Sequence, residues 1–324
     1  MKKIIIFSLC FSMLAGILLL GIYFSGSWML IDKRDSNIIN QDVYTNENKL
    51  RRAAEQGDMV AQNELGVLYE KAKNHTKSAY WYNKSTEKGY SLAQYNIGVA
   101  YENGRGVSKN YQKANDWYRK AAIQGYSKAA FNLGMLYFEG KGVPQDYRKS
   151  REWFMQAAAE NNTMAMYAMG RIYYYGLGVP KDDRQAIVWY QKGVDLGSMR
   201  ARNSLALLYS QGGDGFYKDR VKALSLLIAS ACQGYVVAQN NLGVLYSDGA
   251  EDVIADHKKS YAWFSVAASN GLEEAIKSQR NIAEKMSTQE LEQAKNIAIK
   301  YIEKYPSPIN EDDTYKSNTE CKYP

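Results

Sequence analysis

Cysteine, histidine and proline are scarce in this 324-residue chain, with three, two and five copies respectively. Cys10, Cys232 and Cys321 lie too far apart for a metal-ligand spacing or a dense disulfide framework. With only His75 and His257 available, Ser/His/Asp, Cys/His and histidine-metal chemistries have few residues to build on. No Cys, Asp or Glu recurs at ligand spacing with either histidine, so both read as surface residues of inter-helix loops, and no metal or other cofactor is expected. Cys232, between Ala229, Ala231 and the apolar side of its segment, reads as a small core residue. Cys321 reads as a tail residue, with an intermolecular bridge in an oxidising compartment as the sharper alternative. The five prolines exclude Pro-rich linkers, and the 25 glycines do not follow a collagen period.

Charge of one sign is also lacking. Lysine and arginine number 41 against 34 acidic residues, a net charge of +7, yet acidic residues are mixed evenly through the chain and no dense basic stripe appears. The electrostatic footprint of a nucleic-acid-binding protein is missing. What is present is a 46% hydrophobic composition and 27 tyrosines with 6 tryptophans, the aromatic residues falling at regular intervals.

The amino terminus carries one long uncharged run. After Met1, Lys2 and Lys3, residues 4–24 contain no charge, and at about 1.5 Å per helical residue such a segment reaches about 31 Å, enough to cross a bilayer core. Signal peptides have shorter apolar regions, so residues 1–30 read as an uncleaved signal-anchor, with cleavage near Ser25 and Ser27 as the alternative. The cationic head stays in the cytoplasm, which puts the remainder in the periplasm of a bacterial cell: a single-pass inner-membrane protein, or a periplasmic one if cleaved. Residues 31–49 are polar and Asn-rich and read as a tether.

From residue 50 the sequence repeats. One unit runs from Ala93 to Lys128 and the next from Ala129 to Met164. A small residue recurs at Gly66, Gly98, Gly134, Gly170, Ala206 and Gly243, followed three residues later by Tyr69, Tyr101, Tyr137, Tyr173, Tyr209 and Tyr246. A second segment carries Trp81, Trp117, Trp153, Trp189, Leu226 and Trp263 in phase. Ala114, Trp117, Tyr118, Ala121 and Ala122 fall on one face of a 3.6-residue period while Lys113, Asp116, Arg119 and Lys120 point away, the pattern of an amphipathic helix. Ala93, Ile97 and Tyr101 do the same for the helix before it, which Gly104 and Gly106 terminate. A mid-helix glycine costs about 1 kcal/mol relative to alanine, so its recurrence implies close approach of another helix. The pair Ala121 and Ala122, or its equivalent, is the expected neighbour. The Gly-x-Gly-Val segments at Gly104, Gly140 and Gly176 follow helices rather than strands and lack the Lys-Ser/Thr of a nucleotide loop, so they are structural.

The order Ala, Leu-Gly, Tyr, Gly-x-Gly-Val, Lys-Ala, Trp-Tyr, Ala-Ala, Gly resembles the Sel-1-like repeat family, a relative of the tetratricopeptide repeat, over roughly residues 50–303. The resemblance implies an all-α fold, a right-handed α/α solenoid of helix hairpins: six repeats over 50–274 and capping helices over 275–303, with 304–324 as a disordered tail. Ser287, Thr288, Gln289 and Glu290 form a capping-box signature in the closing helices. The first unit departs from the family pattern, being four residues short and lacking Gly-x-Gly-Val, which implies a tighter loop. The fifth departs in having Leu226 and a Gly-rich loop at Gly212 to Gly215. A secreted, cysteine-rich branch of the family carries a cysteine pair in every repeat, and some of its members are linked to penicillin binding. This chain has no such pairs.

The family architecture implies a concave groove lined by the first helices, and repeat arrays of this kind bind protein or peptide partners. The residues beside the packing stripe are Tyr95, Phe131, Met135, Phe138, Met164, Tyr167, Arg171, Tyr174 and Tyr175. Tyr and Arg are favoured interface anchors, whereas an aromatic at the register of Tyr95, Phe131 and Tyr167 also suits packing within the array. The expected function is a non-catalytic scaffold or adaptor of the cell envelope. Family members also serve as immunity proteins, so a secreted effector is one partner the resemblance allows; no small-molecule substrate is expected. The alternative is an envelope or peptidoglycan-associated hydrolase using Glu102 and Glu139 as paired carboxylates.

Overall fold

The computed structural model describes residues 47–213, 215–249 and 253–305. The expected anchor over residues 4–24, the tether up to residue 46 and the tail after 305 lie outside the described residues. Among those described, no helix is long and apolar enough to cross a membrane.

The described chain is all-α. Helix α1 covers residues 47–55. Six hairpins follow: α2 (Met59–Lys71) with α3 (His75–Thr86), α4 (Ser91–Asn103) with α5 (Tyr111–Ile123), α6 (Ser127–Glu139) with α7 (Tyr147–Ala159), α8 (Thr163–Tyr175) with α9 (Asp183–Asp195), α10 (Met199–Gln211) with α11 (Arg220–Cys232), and α12 (Val236–Asp248) with α13 (His257–Ser269). Helices α14 (Glu273–Ala283) and α15 (Thr288–Lys304) close the series. An isolated bridge pairs Gly213 with Phe216.

Each hairpin is closed by the same device. Asn74, Asn110, Asp146, Asp182, Asp219 and Asp256 are the N-caps of the second helices, and their side chains accept from the backbone N–H three residues on. Their own N–H groups donate to the carbonyls of Tyr69, Tyr101, Tyr137, Tyr173, Tyr209 and Tyr246 at 2.8 to 2.9 Å. One residue thus satisfies an orphan donor of the helix it starts and ties the loop back to the helix before it. The loop turns because Gly140, with φ 69°, caps α6 in the left-handed region and donates to Leu136 O. The first hairpin makes its turn within residues 72–74, where residues 104–110 serve the second. His75 and His257, expected in loops, are the opening residues of α3 and α13. The capping asparagine or aspartate directly before each one starts the helix there.

The chain forms two compact units, residues up to 93 with 105–108, and residues 94–104 with 109 onward. In the first, Ala54, Ala61 and Leu65 form a small buried cluster, and Ser85 Oγ donates to Met59 O at 2.6 Å. Glu70 accepts from His75 Nδ1 at 2.9 Å and Arg105 at 3.1 Å. Burial pushes the Glu70 carboxyl up, but these two partners outweigh it and hold the group below its usual range.

In the second unit successive hairpins stack as a solenoid around a core of small and aromatic residues. Tyr118, Phe154 and Tyr190 are buried, at 0%, 0% and 2% exposure, and each lies under the glycine of its own first helix. A Cβ on Gly98, Gly134 or Gly170 would come within 2.7, 2.6 or 2.3 Å of that ring. The close approach expected from the glycines is therefore made by the aromatic that follows each tryptophan, not by the alanine pair. The alanines pack elsewhere in the core, fully or nearly buried. The fifth hairpin confirms the relation, because Ala206 replaces glycine where Leu227 replaces the ring, and both are buried.

The array ends on an aromatic lid. Trp263 is fully buried, its ring 5.0 Å from Tyr305 and 5.1 Å from Tyr301, whereas Trp117, Trp153 and Trp189 are half-buried. Helix α15, which packs on α13, begins with a complete capping box between Ser287 and Glu290.

Candidate protein-binding face

The nine residues expected to line a groove separate by what they touch. Tyr95 lies 5.9 Å from Tyr118 and 5.0 Å from Tyr126, ring centre to ring centre. Phe131 lies 5.6 Å from Phe154, and Tyr167 lies 6.1 Å from Tyr190. In all three, the first-helix ring rests on the buried aromatic of its own second helix, and all three remain half-buried. Phe138 packs edge-on to Tyr147 at 5.3 Å and against Phe154 at 6.5 Å. Met135 is half-buried against the same core.

Helix α8 presents something different. Met164, Tyr167, Arg171 and Tyr175 are spaced i, i+3, i+7 and i+11, so one face of the helix carries them all. The Arg171 guanidinium sits 5.9 Å from the Tyr167 ring centre and 5.8 Å from that of Tyr175, close enough for cation–π attraction to both. Tyr175 is 60% exposed and meets Tyr174 edge-on at 4.8 Å. Lys181 Nζ stands 5.7 Å over the Tyr174 ring, and the Tyr174 hydroxyl donates to Gln211 Oε1 of α10 at 3.3 Å. Among the described residues no carboxylate pairs with Arg171. Two rings therefore flank a guanidinium whose N–H edge is unspent, an arrangement suited to a carboxylate or a peptide carbonyl bordered by apolar side chains.

The face continues past α8 on residues that type-based selection missed. The register one residue after the repeat glycine or alanine runs Met135, Arg171, Leu207 and Val244 along α6, α8, α10 and α12, and the last two are 37% and 42% exposed. Val237, at the register of Met164, is 40% exposed. Their signal in the sequence was position within the repeat, since a lone exposed Leu or Val has no meaning by itself. Adjacent first helices are also joined here, Asn241 Nδ2 donating to Asn203 Oδ1 at 2.8 Å.

The two candidate catalytic carboxylates have separate partners. Glu102 accepts the Tyr118 hydroxyl at 2.5 Å, and Glu139 lies 2.6 Å from Lys141 Nζ. Burial, with the Glu102 charge added, drives the Tyr118 hydroxyl far above its ordinary range, so it stays protonated and donating. The Lys141 ammonium is raised by its hydrogen bond to Glu139. Among the described residues no group of His, Cys, Asp and Glu is arranged to hold a metal ion.

A Sel1 repeat profile matches residues 60–90, 91–126, 127–162, 163–198, 200–235 and 236–272. The chain belongs to the Sel1 repeat family. A Sel1 repeat protein from Oxalobacter formigenes is 32% identical, over 73% of this chain and 98% of that one, with a TM-score of 0.63. The protective antigen c5321 of uropathogenic Escherichia coli, described as displaying an SLR fold, is 28% identical over 80% of this chain, with a TM-score of 0.50. This chain spans 64% of that protein's length. More distantly, the immunity protein Pa5087 of Pseudomonas aeruginosa is 19% identical over 70% of this chain and 74% of its own, with a TM-score of 0.40. No curated protein matches. Sel1 repeats are protein-interaction scaffolds, and within the Sel1 pattern the aromatic–arginine face of α8 is a departure, since the Arg171 register is otherwise Val67, Val99, Met135, Leu207 and Val244.

Proposed function

We propose that this protein is a non-catalytic scaffold that holds a protein partner, or a peptide segment of one, along the first-helix face of its second unit, with Tyr167, Arg171, Tyr174 and Tyr175 as anchors. The observation that carries the reading is the Arg171 guanidinium held between two tyrosine rings with its hydrogen-bonding edge open. Interfaces concentrate their energy in such Tyr and Arg positions, and the exposed row of Leu207, Val237 and Val244 beside them supplies apolar area. The partner segment this chemistry fits has an acidic side chain or chain-terminal carboxylate next to apolar residues. A secreted effector is one such partner. The charge-free run of residues 4–24 behind two lysines supports placing the scaffold at the inner membrane, with its repeats in the periplasm.

The test is quantitative crosslinking and capture with the full chain against the Arg171→Ala/Tyr175→Ala variant. Both substituted residues are partly or mostly exposed, so thermal unfolding curves should overlay. One or more partners captured by the wild type and lost from the variant is the expected result. Identical capture by both proteins would refute the assignment of this face. Gln at Glu102 and Glu139 should leave capture unchanged; a hydrolytic activity abolished by those changes would replace the scaffold reading with an enzymatic one. A periplasmic reporter fused after residue 305 and inactive in cells would refute the topology.

A further inference from the structure

Along the first-helix face of the second unit the residue types change between α8 and α10. Where α4, α6 and α8 set Tyr95, Phe131 and Tyr167 against the buried ring of the second helix, α10 has Asn203 and α12 has Asn240, each three residues before the repeat alanine or glycine. Neither asparagine can cover a ring as an aromatic does. Asn203 is 5% exposed, and its Oδ1 accepts from Asn241 Nδ2 at 2.8 Å. Asn240 is half-buried, and its Oδ1 is shut away from solvent with no hydrogen-bond partner.

Asn241 also lacks the duty of its counterparts. At its register Asn132 and Ser204 hydrogen-bond the buried Tyr118 and Tyr190 hydroxyls of the second helices before them. The second helix before Asn241 is α11, which carries Leu227 in that place and has no hydroxyl to satisfy. The bond between Asn203 and Asn241 uses one end of each amide. Among the described residues, the Asn203 amino group and the Asn241 carbonyl make no other hydrogen bond. Val237, Asn240, Asn241 and Val244 fall at i, i+3, i+4 and i+7 of α12, and Asn203 and Leu207 at i and i+4 of α10, so the amides share their face with the exposed Leu207, Val237 and Val244.

We propose that Asn203, Asn240 and Asn241 bind the main chain of an extended peptide, the same partner segment whose acidic group Arg171 receives; the inference rests on the scaffold reading above. An asparagine amide carries a carbonyl acceptor and an amino donor, the complement of a peptide unit. A segment in extended form has its N–H and C=O groups free to pair, whereas a helix has spent them. The Asn203 amino group donates to a peptide carbonyl and the Asn241 carbonyl accepts a peptide N–H. Asn240, half-exposed, turns its amide outward to a third peptide group, which removes the cost of an acceptor left buried and unpaired. Packed helices lie about 10 Å apart and an extended chain advances about 3.3 Å per residue, so about six residues reach from Arg171 on α8 to Asn241 on α12. Alternate side chains of that segment face Leu207, Val237 and Val244, which suits apolar residues there.

The probe is a phage-displayed library of random dodecapeptides selected on the full chain in detergent, with the best binder synthesised and its affinity measured by fluorescence anisotropy. Asn241→Ala and Asn240→Ala should each weaken binding about tenfold. Single N-methylation, scanned along the peptide, should weaken it about tenfold at the amides that face the asparagines and little elsewhere; this arm leaves the protein untouched, so it holds even where a substitution disturbs the fold. Binding lost in Arg171→Ala/Tyr175→Ala but indifferent to both asparagine variants and to every N-methyl group would overturn the main-chain reading and leave the α8 anchors standing. Binding lost in the asparagine variants and on N-methylation, but retained in Arg171→Ala/Tyr175→Ala, would uphold the main-chain reading and refute the α8 anchors. Failure to select any peptide, or peptides indifferent to all of these changes, would overturn the proposal.

Discussion

A methyl group at residue 134 tests the packing rule that the repeats share. The Cβ of Gly134→Ala would stand 2.6 Å from two ring carbons of Phe154 and 3.2 Å from Ser150 O, about 1 Å inside the contact distance at which carbon atoms attract. Phe154 is fully buried, so the ring has nowhere to retreat, and overpacking of this kind costs about 1–3 kcal/mol. Alanine returns about 1 kcal/mol of helix propensity, leaving a net loss of about 1 kcal/mol; Gly134→Leu should lose more than about 2 kcal/mol. The informative partner is Phe154→Leu, which copies the Ala206 and Leu227 pair of the fifth hairpin. Alone it should cost about 1 kcal/mol or more through the cavity it leaves. In that background Gly134→Ala should become stabilising, because the overlap is gone and the propensity gain remains, a coupling of about 2 kcal/mol. Urea unfolding of the four proteins, followed by helical circular dichroism, measures the cycle. The same effect of Gly134→Ala in both backgrounds would show that the ring is not what excludes the side chain.

Three further outcomes follow from the closing helices and the first unit. Tyr301→Ala removes a buried ring from Trp263 and should cost on the order of 3 kcal/mol, seen as faster amide exchange in α13 and α15 with α5 to α7 unchanged, since stability in such arrays is set locally. Glu290 is held below its usual range by the Ser287 backbone N–H and then the Ser287 hydroxyl, so its contribution to α15 is present above the unfolded carboxylate value and lost as pH falls through the lower folded one. An acid titration of α15 amides should show that midpoint below 4.5, and Ser287→Ala should move it back up. Glu70 is likewise held low against its burial, so Arg105→Ala should raise the carboxyl titration followed by NMR, and an unmoved midpoint would show that the 3.1 Å pair contributes nothing measurable.

The periodic part of the fold was legible from residue spacing because every hairpin solves one packing problem with one set of residue types. Gly98, Gly134 and Gly170 announced a close approach, and Trp117 with its equivalents fixed the phase of the second helix. The identity of the neighbour was not legible: Ala121 and Tyr118 lie on the same face of α5, and spacing alone cannot say which of them meets Gly98. The comparison that decides it was nonetheless in the sequence. Ala206 and Leu227 change together in one repeat, the mark of two residues sharing one volume. The N-caps from Asn74 to Asp256 were equally visible and equally easy to pass over, because each looks like an ordinary loop residue until its N–H is found on the repeat tyrosine carbonyl.

The candidate face was legible only in part, and for a physical reason. Aromatic residue type marks both interface anchors and core, and Tyr95, Phe131 and Phe138 are aromatic because buried rings in their own hairpins need covering. Arg171 has no such duty, since a guanidinium gains nothing from a core that Val99, Met135, Leu207 and Val244 can line. A repeat array averages its packing demands over many units, so a residue that departs from its register without a compensating change nearby is released from those demands. Ala206 departs and is answered by Leu227 within the core; Arg171 departs with no answering change in the core and meets only Tyr167 and Tyr175 on its own face. Departures of the first kind concern stability, and departures of the second kind are where binding should be sought.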